Sequence, residues 1–170
     1  MSDTATKQPA KKFSSKGNIV QASGKLGAQK GGGVVGYCVQ GPSAKITYSS
    51  STLVEMLRVG LPVKELNDLQ ATLDVPMEKL VPMLGISKAT LHRRKAAGRL
   101  DQAESDRVVR FAKLMGKAVE VFESEAGARQ WLNSPQFGLG GAVPLQYAET
   151  EVGAREVENL LGRIEYGVYA

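Results

Sequence analysis

The sequence contains one cysteine and one histidine among its 170 residues. A single cysteine cannot form an intrachain disulfide, which is typical of proteins in a reducing compartment. One cysteine and one histidine also fall short of the usual ligand set of a zinc site, and a hydrolase triad would have to use His92. The sequence therefore predicts no metal, no cofactor and no enzymatic activity.

Long apolar segments are also missing. No run approaches the roughly 20 residues that a membrane span needs, and residues 1–17 lack the apolar stretch of a secretory signal. The glycines at 31–33 and 138–141 match neither the phosphate-binding nor the dinucleotide-binding fingerprint. These absences predict a cytoplasmic protein without a membrane anchor.

Charge is distributed unevenly around a net value of +5. Residues 1–50 carry seven lysines and one aspartate, and residues 51–113 carry eleven basic and eight acidic side chains. Residues 114–170 reverse the balance, with four basic and eight acidic side chains. Two basic segments followed by an acidic one indicate two different partners, with a polyanion on the basic side.

Residues 1–48 are interpreted as a flexible, basic N-terminal arm. The first 35 or so have few large apolar side chains, so burial cannot offset the entropy of ordering them. Such an arm is either simply solvated or adds phosphate contacts to a nucleic acid. Its last part, Val34–Tyr48, is richer in β-branched and aromatic residues, which predicts one or two short strands or irregular packing.

Beyond the arm, apolar residues at helical spacing predict a mainly α fold. We assign 49–115 to a helix-turn-helix domain and 116–170 to a small α-helical C-terminal domain. The first begins with helices over 51–59, capped by Ser51 or Thr52, and over 62–73.

The next segment has conflicting signals. Asp74 is predicted to cap a helix that carries Glu78 in its first turn, where a carboxylate favours the helix dipole. Pro82 lies inside the same helix and removes one backbone donor, so the helix has to be short or bent.

A helix-turn-helix unit is predicted over 73–114. Gly85 suits the turn, Ser87 caps the recognition helix over 87–97, and Gly98 ends it. Ile86 and Leu91 are expected to face the first helix, and the basic side chains to face outward. A dimer is expected, because operator half-sites are usually read in pairs. The predicted DNA-binding residues are Ser87, Lys88, Thr90, Arg93, Arg94, Lys95 and Arg99.

The alternative for these cations is an ordinary solvated helix face, but the turn, the cap and the charge coincide within a dozen residues. His92 is interpreted as a backbone-facing or core-edge residue. After Leu100, Asp101 and Glu104 predict a capping box at the start of a long apolar helix that Gly116 either interrupts or leaves continuous.

The C-terminal third is predicted to form a short helix, a Pro/Gly loop and a final helix. Glu125–Leu132 is predicted to direct Trp131 and Leu132 inward, residues 134–144 form the loop, and 149–163 have helical spacing. The order of these elements after a basic helix-turn-helix resembles the Xre/MbcA/ParS antitoxin family, and in particular the Xre antitoxins of Res–Xre toxin–antitoxin pairs. The most specific part of the resemblance is WLNSPQFGLGGAVPLQYAETEVGAREVENLLGRIEYG.

The resemblance covers about residues 51–170 and implies a type II antitoxin. Such a protein would bind and neutralise a Res-type, NAD-degrading toxin and, as a homodimer on operator DNA, repress its own operon. It also implies that some residues shape the toxin-binding domain, namely Trp131, Leu132, Pro135, Gly140, Pro144 and Leu145.

Direct toxin contacts are predicted at the end of the chain, at Tyr166, Val168, Tyr169 and Ala170. These groups are large and partly apolar, and little core remains for them to join; aromatic anchors of this kind often dominate interfaces. The alternative is that they pack back on their own domain. At the level of function, the alternative to an antitoxin is a free-standing transcriptional regulator whose C-terminal region dimerises or senses a ligand.

Overall fold

The computed structural model describes residues 33–41 and 48–168. Within these residues the backbone forms α-helices and one 3₁₀ turn, with two isolated β-bridges and no strand, which confirms the mainly α class. Residues 1–32 and 42–47 of the predicted arm lie outside this part of the chain. The helices are α1 (Val34–Gln40), α2 (Ser50–Val59), α3 (Val63–Leu73), α4 (Met77–Met83), α5 (Lys88–Ala97), α6 (Gln102–Phe122), α7 (Glu125–Asn133), α8 (Pro144–Tyr147) and α9 (Glu151–Glu165).

Helix α6 is the centre of the fold. Its 21 residues span about 30 Å, and it packs against α1, α2, α3, α7 and α9. The predicted capping box is confirmed, because the Asp101 side chain accepts from the Glu104 amide and the Glu104 side chain accepts from the Asp101 amide, both at 2.8 Å. Gly116 does not interrupt the helix. The buried apolar side chains of α6 are Val108, Val109, Phe111, Ala112, Leu114, Met115 and Ala118.

Helix α1 corrects the prediction for Val34–Tyr48. Val34–Gln40 is helical, so the predicted strands or irregular packing are wrong for these seven residues. Val34 and Val35 are fully or almost fully buried. Because both valines join the core, tertiary packing overrides their β-propensity.

Two contacts fix α1 on the core. The buried Glu65 carboxylate accepts hydrogen bonds from the Val34 and Val35 amides, each at 3.0 Å, and so satisfies two free N–H groups at the start of the helix. At the other end, a Cβ on Gly116 would lie 2.0 Å from the carbonyl oxygen of Cys38. Only glycine allows the α1 and α6 backbones to approach this closely.

Two cap predictions in the next helices are wrong. Ser49, rather than Ser51 or Thr52, caps α2, since its side chain accepts from the Thr52 amide at 3.2 Å. Asp74 does not begin α4 but ends α3 in the left-handed conformation (φ 54°), which aspartate tolerates better than most residues.

Helix α4 is only seven residues long, as Pro82 predicted. Pro82 occupies its last turn, where the missing N–H leaves the Glu78 carbonyl without a helical partner. Both residues are exposed, so the lost hydrogen bond lies at the surface and not in the core. The helix ends after Met83, where left-handed Gly85 donates to the Pro82 carbonyl at 2.8 Å, and the buried face that carries Leu80 and Val81 is kept.

The C-terminal helices pack on the same core as the helix-turn-helix. Buried side chains from both halves, such as Leu66, Leu132 and Leu161, belong to one hydrophobic cluster of the described residues. Helix α7 also supplies donors to the end of α3, where Arg129 Nε bonds the Thr72 carbonyl at 2.6 Å. The boundary that we placed between residues 115 and 116 falls inside α6.

The Glu65 contact generates a prediction about α1. Glu65→Ala leaves two buried amides without acceptors, so we expect a loss of about 1–3 kcal/mol in unfolding free energy and detachment of α1. Burial raises the pKa of the Cys38 thiol to about 11; Lys113 opposes this rise and Glu65 adds to it. Detachment should return the pKa towards 9.0, increasing the thiolate fraction at pH 7 by about a hundredfold.

The measurement is the rate at which Cys38 reacts with a disulfide reagent under native conditions, with exposed Glu78→Ala as the matched control. Equal rates in wild type and Glu65→Ala would contradict the assigned role of Glu65.

Candidate DNA-binding and partner-binding surfaces

The helix-turn-helix is formed by α4, a tight turn and α5. Gly85 has φ +63°, as the predicted turn requires, and Ile86 is buried beneath it. Arg107 of α6 donates to the Leu84 carbonyl at 2.9 Å and so attaches the turn to the central helix. The turn is thereby held in a fixed position relative to α6.

Helix α5 has the predicted ends. The Ser87 hydroxyl accepts from the Thr90 amide at 3.1 Å, and Gly98 ends the helix in the left-handed conformation. The same hydroxyl donates to Thr90 Oγ1 at 2.9 Å, so both polar side chains serve the cap. Lys88, Arg93 and Lys95 are exposed.

Arg94 differs from the cations around it. Its Nε donates to both Glu104 carboxylate oxygens, at 2.8 and 3.1 Å, and its Nη2 donates to Asp101 at 2.6 Å. Hydrogen bonding to Glu104 is the main cause that raises the pKa of Arg94 further. The guanidinium of Arg94 therefore holds α5 to the start of α6, and its predicted contact with DNA stays a prediction.

Arg99 also has a partner within the chain. Its Nη1 donates to the Gly60 carbonyl at 2.8 Å, and its backbone forms an isolated antiparallel bridge with Pro62. Residue 99 remains exposed. Arg99 joins the loop before α3 to the loop after α5 and retains guanidinium donors beyond the one used.

His92 lies on the exposed side of α5, so its predicted core-edge position is wrong. Leu91 and Arg94 mark the side of α5 that faces the protein, since both are partly buried. At 100° per residue, the opposite side is centred on Ala89, His92 and Ala96. The prediction that Leu91 faces the first helix already indicated this orientation, because His92 is rotated by about 100° from Leu91 around the helix axis.

The predicted toxin contacts lie where α9 ends. Tyr166 is 79% exposed and Val168 is 58% exposed, so neither packs back on its own domain. Tyr169 and Ala170 lie outside the described residues. Lys117 of α6 pairs with Glu165 at 2.6 Å, which raises the pKa of Lys117, and so fixes the end of α9 beside the central helix.

The residues implied to shape the C-terminal domain have mostly structural positions. Leu132, Pro144 and Leu145 are buried, and Gly140 has φ +65° in the turn. Trp131 is half-buried, with its ring centroid 5.7 Å from that of Phe122.

Phe137 was missed by the sequence analysis. It lies in the loop between α7 and α8 and is 98% exposed. Periodicity gives no signal in a loop, although an aromatic residue between Pro135 and the following glycines is unusual for a solvated turn.

Two classes of feature are absent from the part of the chain that the structure describes. Its acidic, histidine and cysteine side chains form no cluster of three or more that suits a metal ion. Within the same residues, none of the helices has the length and apolar character required to cross a membrane.

Comparisons with known proteins match both halves of the chain. The family model for the Antitoxin Xre-like helix-turn-helix domain matches residues 52–113. The model for the Antitoxin Xre/MbcA/ParS C-terminal toxin-binding domain matches residues 117–167. The second span includes the Phe137 loop and Tyr166.

Relatives that match more than two thirds of the chain agree with the domain matches. Antitoxin Xre proteins of Yersinia enterocolitica and Photorhabdus laumondii are each 34% identical to the chain over 122 residues, which is 71% of this chain and 82% of theirs. The Prs ADP-ribosylating antitoxin of a Sphingobium species is 25% identical over 138 residues, covering 74% of this chain and 87% of that protein. The resemblance seen in the sequence is thus confirmed, and the chain belongs to the Xre/MbcA/ParS antitoxin family, with the helix-turn-helix and toxin-binding domains of an Xre antitoxin.

Proposed function

We propose that this chain is the cytoplasmic antitoxin of a type II pair that neutralises an NAD-consuming toxin and represses its own operon. The observation that carries the proposal is an exposed aromatic terminus at the end of a domain that matches a toxin-binding family. Neutralisation by occlusion needs no catalytic group, which agrees with a non-enzymatic role.

The toxin's chemistry is proposed from the family. The sequence resembles the Xre antitoxins of Res–Xre pairs, and this resemblance implies a toxin that degrades NAD. The name of the Sphingobium relative refers to ADP-ribosylation, a reaction class that also consumes NAD. We infer that Tyr166, Val168, Tyr169 and Ala170 block the mouth of the toxin's NAD pocket.

The DNA side of the proposal uses the exposed face of α5. Lys88, Arg93 and Lys95 carry charge along that face and suit phosphates and guanine edges. His92 and the small side chains beside it lie at its centre, where a recognition helix approaches base edges. Because one helix buries too little surface for tight specific binding, we propose that a homodimer binds the operator.

The alternative, a free-standing regulator, shares the DNA-binding half and differs only in the C-terminal third. A dimerising or ligand-sensing region does not account for a match to a toxin-binding domain over residues 117–167. The exposed terminus also suits an external partner better than an internal sensor.

Removing the terminus tests the proposed blockade. Deletion of 166–170 retains Glu165 and its ion pair with Lys117, so the domain should stay folded. We expect the truncated chain to bind operator DNA as wild type does and to lose protection of NAD in cells that express the adjacent toxin. The measurement is cellular NAD with and without each chain; full protection by the folded truncated protein would refute the blockade.

Adjacent arginines on α5 offer a matched test of the DNA surface. Arg93→Ala removes an exposed cation, so binding should weaken and the dependence of affinity on salt should fall by about one ion, with no change in melting temperature. Arg94→Ala leaves the nearly buried Glu104 carboxylate without a cation, so the melting temperature should fall.

Both variants are measured by thermal unfolding and by operator titration at several salt concentrations. The assignment would be contradicted if Arg94→Ala kept the wild-type melting temperature and reduced the salt dependence of operator binding more than Arg93→Ala does.

A further inference from the structure

Phe137 is exposed to an unusual degree for an aromatic side chain. It is 98% accessible, more than any other large hydrophobic residue in the part of the chain that the structure describes. Single exposed hydrophobic residues are common on protein surfaces, but Phe137 lies on a loop that hydrogen bonds and packing hold in place.

Hydrogen bonds across the loop that carries Phe137 hold its two ends together. The Gln136 amide donates to the Ala142 carbonyl at 3.0 Å, and the Gly141 amide donates back to the Gln136 carbonyl at 2.9 Å. The Gln136 side chain donates to the carbonyls of Trp131 and Ser134, at 2.9 and 3.0 Å. Phe137 therefore follows a residue that is anchored through its backbone and its side chain.

The other side of Phe137 is fixed by packing. A Cβ on Gly138 would lie 2.6 Å from a Leu160 methyl group, so the loop rests directly on α9. Gly138, Gly140 and Gly141 are exposed and present no side chains around the ring. The result is a single aromatic knob on a surface of bare backbone, a shape that fits a concave apolar pocket.

We propose that Phe137 is an anchor that inserts into an apolar pocket of the toxin, at a contact separate from the C-terminal tail. This inference rests on the proposed function. Because the loop is ordered before binding, little conformational entropy is lost when the knob enters its pocket. Pre-ordered aromatic side chains of this kind typically account for much of an interface's affinity.

The composition of the C-terminal third favours the toxin over DNA or a second copy of the chain. Residues 114–170 have eight acidic and four basic side chains, which opposes contact with phosphates and contact between two such surfaces. Among the described residues, five of the seven exposed large hydrophobics lie in 137–168, and Phe137 lies near the middle of the toxin-binding match.

The two contacts lie on different sides of α9. The loop touches Leu160, whereas Tyr166 directly follows Glu165, whose carboxylate pairs with Lys117 of α6. Six residues along a helix correspond to a rotation of about 120° the short way round. The toxin would therefore contact both sides of α9. Removing one of the two contacts should weaken toxin binding and leave the other contact in place.

The test uses the full chain, the purified toxin encoded beside it, and a direct titration of their affinity. Phe137→Ala should weaken binding roughly 30-fold or more, as expected for truncating an aromatic hot spot. Phe137→Trp should restore most of the affinity. Val59→Ala, on α2, is the matched control, since Val59 is exposed but lies outside the toxin-binding match. The melting temperature and operator affinity should stay unchanged.

Each remaining outcome is decisive. Phe137→Ala that binds toxin within threefold of wild type overturns the anchor but leaves the proposed function intact, provided that the wild-type chain still preserves NAD. Phe137→Ala that loses self-association while keeping toxin affinity assigns the knob to a second copy and also overturns it. A wild-type chain that does not bind the toxin at all overturns both proposals.

Discussion

Burial of α6 is the constraint on which the other elements depend. The helix packs against α3 of the helix-turn-helix domain and against α7 and α9 of the C-terminal domain, so neither half has a complete core without it. Its buried polar groups are also fully used: Glu104 binds Arg94, and Ser105 accepts from the Leu61 amide at 2.8 Å. Since an unpaired buried polar group destabilises a fold by about 1–3 kcal/mol, these bonds fix the rotation of α6 as firmly as its packing does.

The same helix relates the two binding surfaces. Near its start, Glu104 and Arg107 hold the recognition helix and the turn before it. Thirteen residues after Glu104, Lys117 holds the end of α9, which places that contact about 20 Å further along the axis. The recognition helix and the end of α9 are thus attached to one helix by side-chain hydrogen bonds, which leave Lys88, Arg93 and Tyr166 exposed.

Sequence reasoning succeeded where one local signal decided the structure. The caps Ser87, Gly98 and Asp101 and the turn at Gly85 follow from short-range chemistry, and all four are confirmed. It failed where distant residues decide. Helix α1 depends on Glu65 and Gly116, which lie roughly 30 and 80 residues away, and nothing within Val34–Tyr48 reveals them. Arg94 looked like its neighbours because its carboxylate partners, Asp101 and Glu104, follow the helix that carries it. Phe137 lies in a loop, where no periodicity marks an exposed aromatic residue.

The claim that one shared helix unites the two domains can be tested by native-state hydrogen exchange along α6. If the helix-turn-helix and the toxin-binding domain share a single core, amides in 106–113 and in 117–121 should open with the same free energy, equal to that of global unfolding. Unequal opening energies, with the second half of α6 exchanging together with α7 and α9 while the first half stays protected, would show two independent folding units and contradict the account.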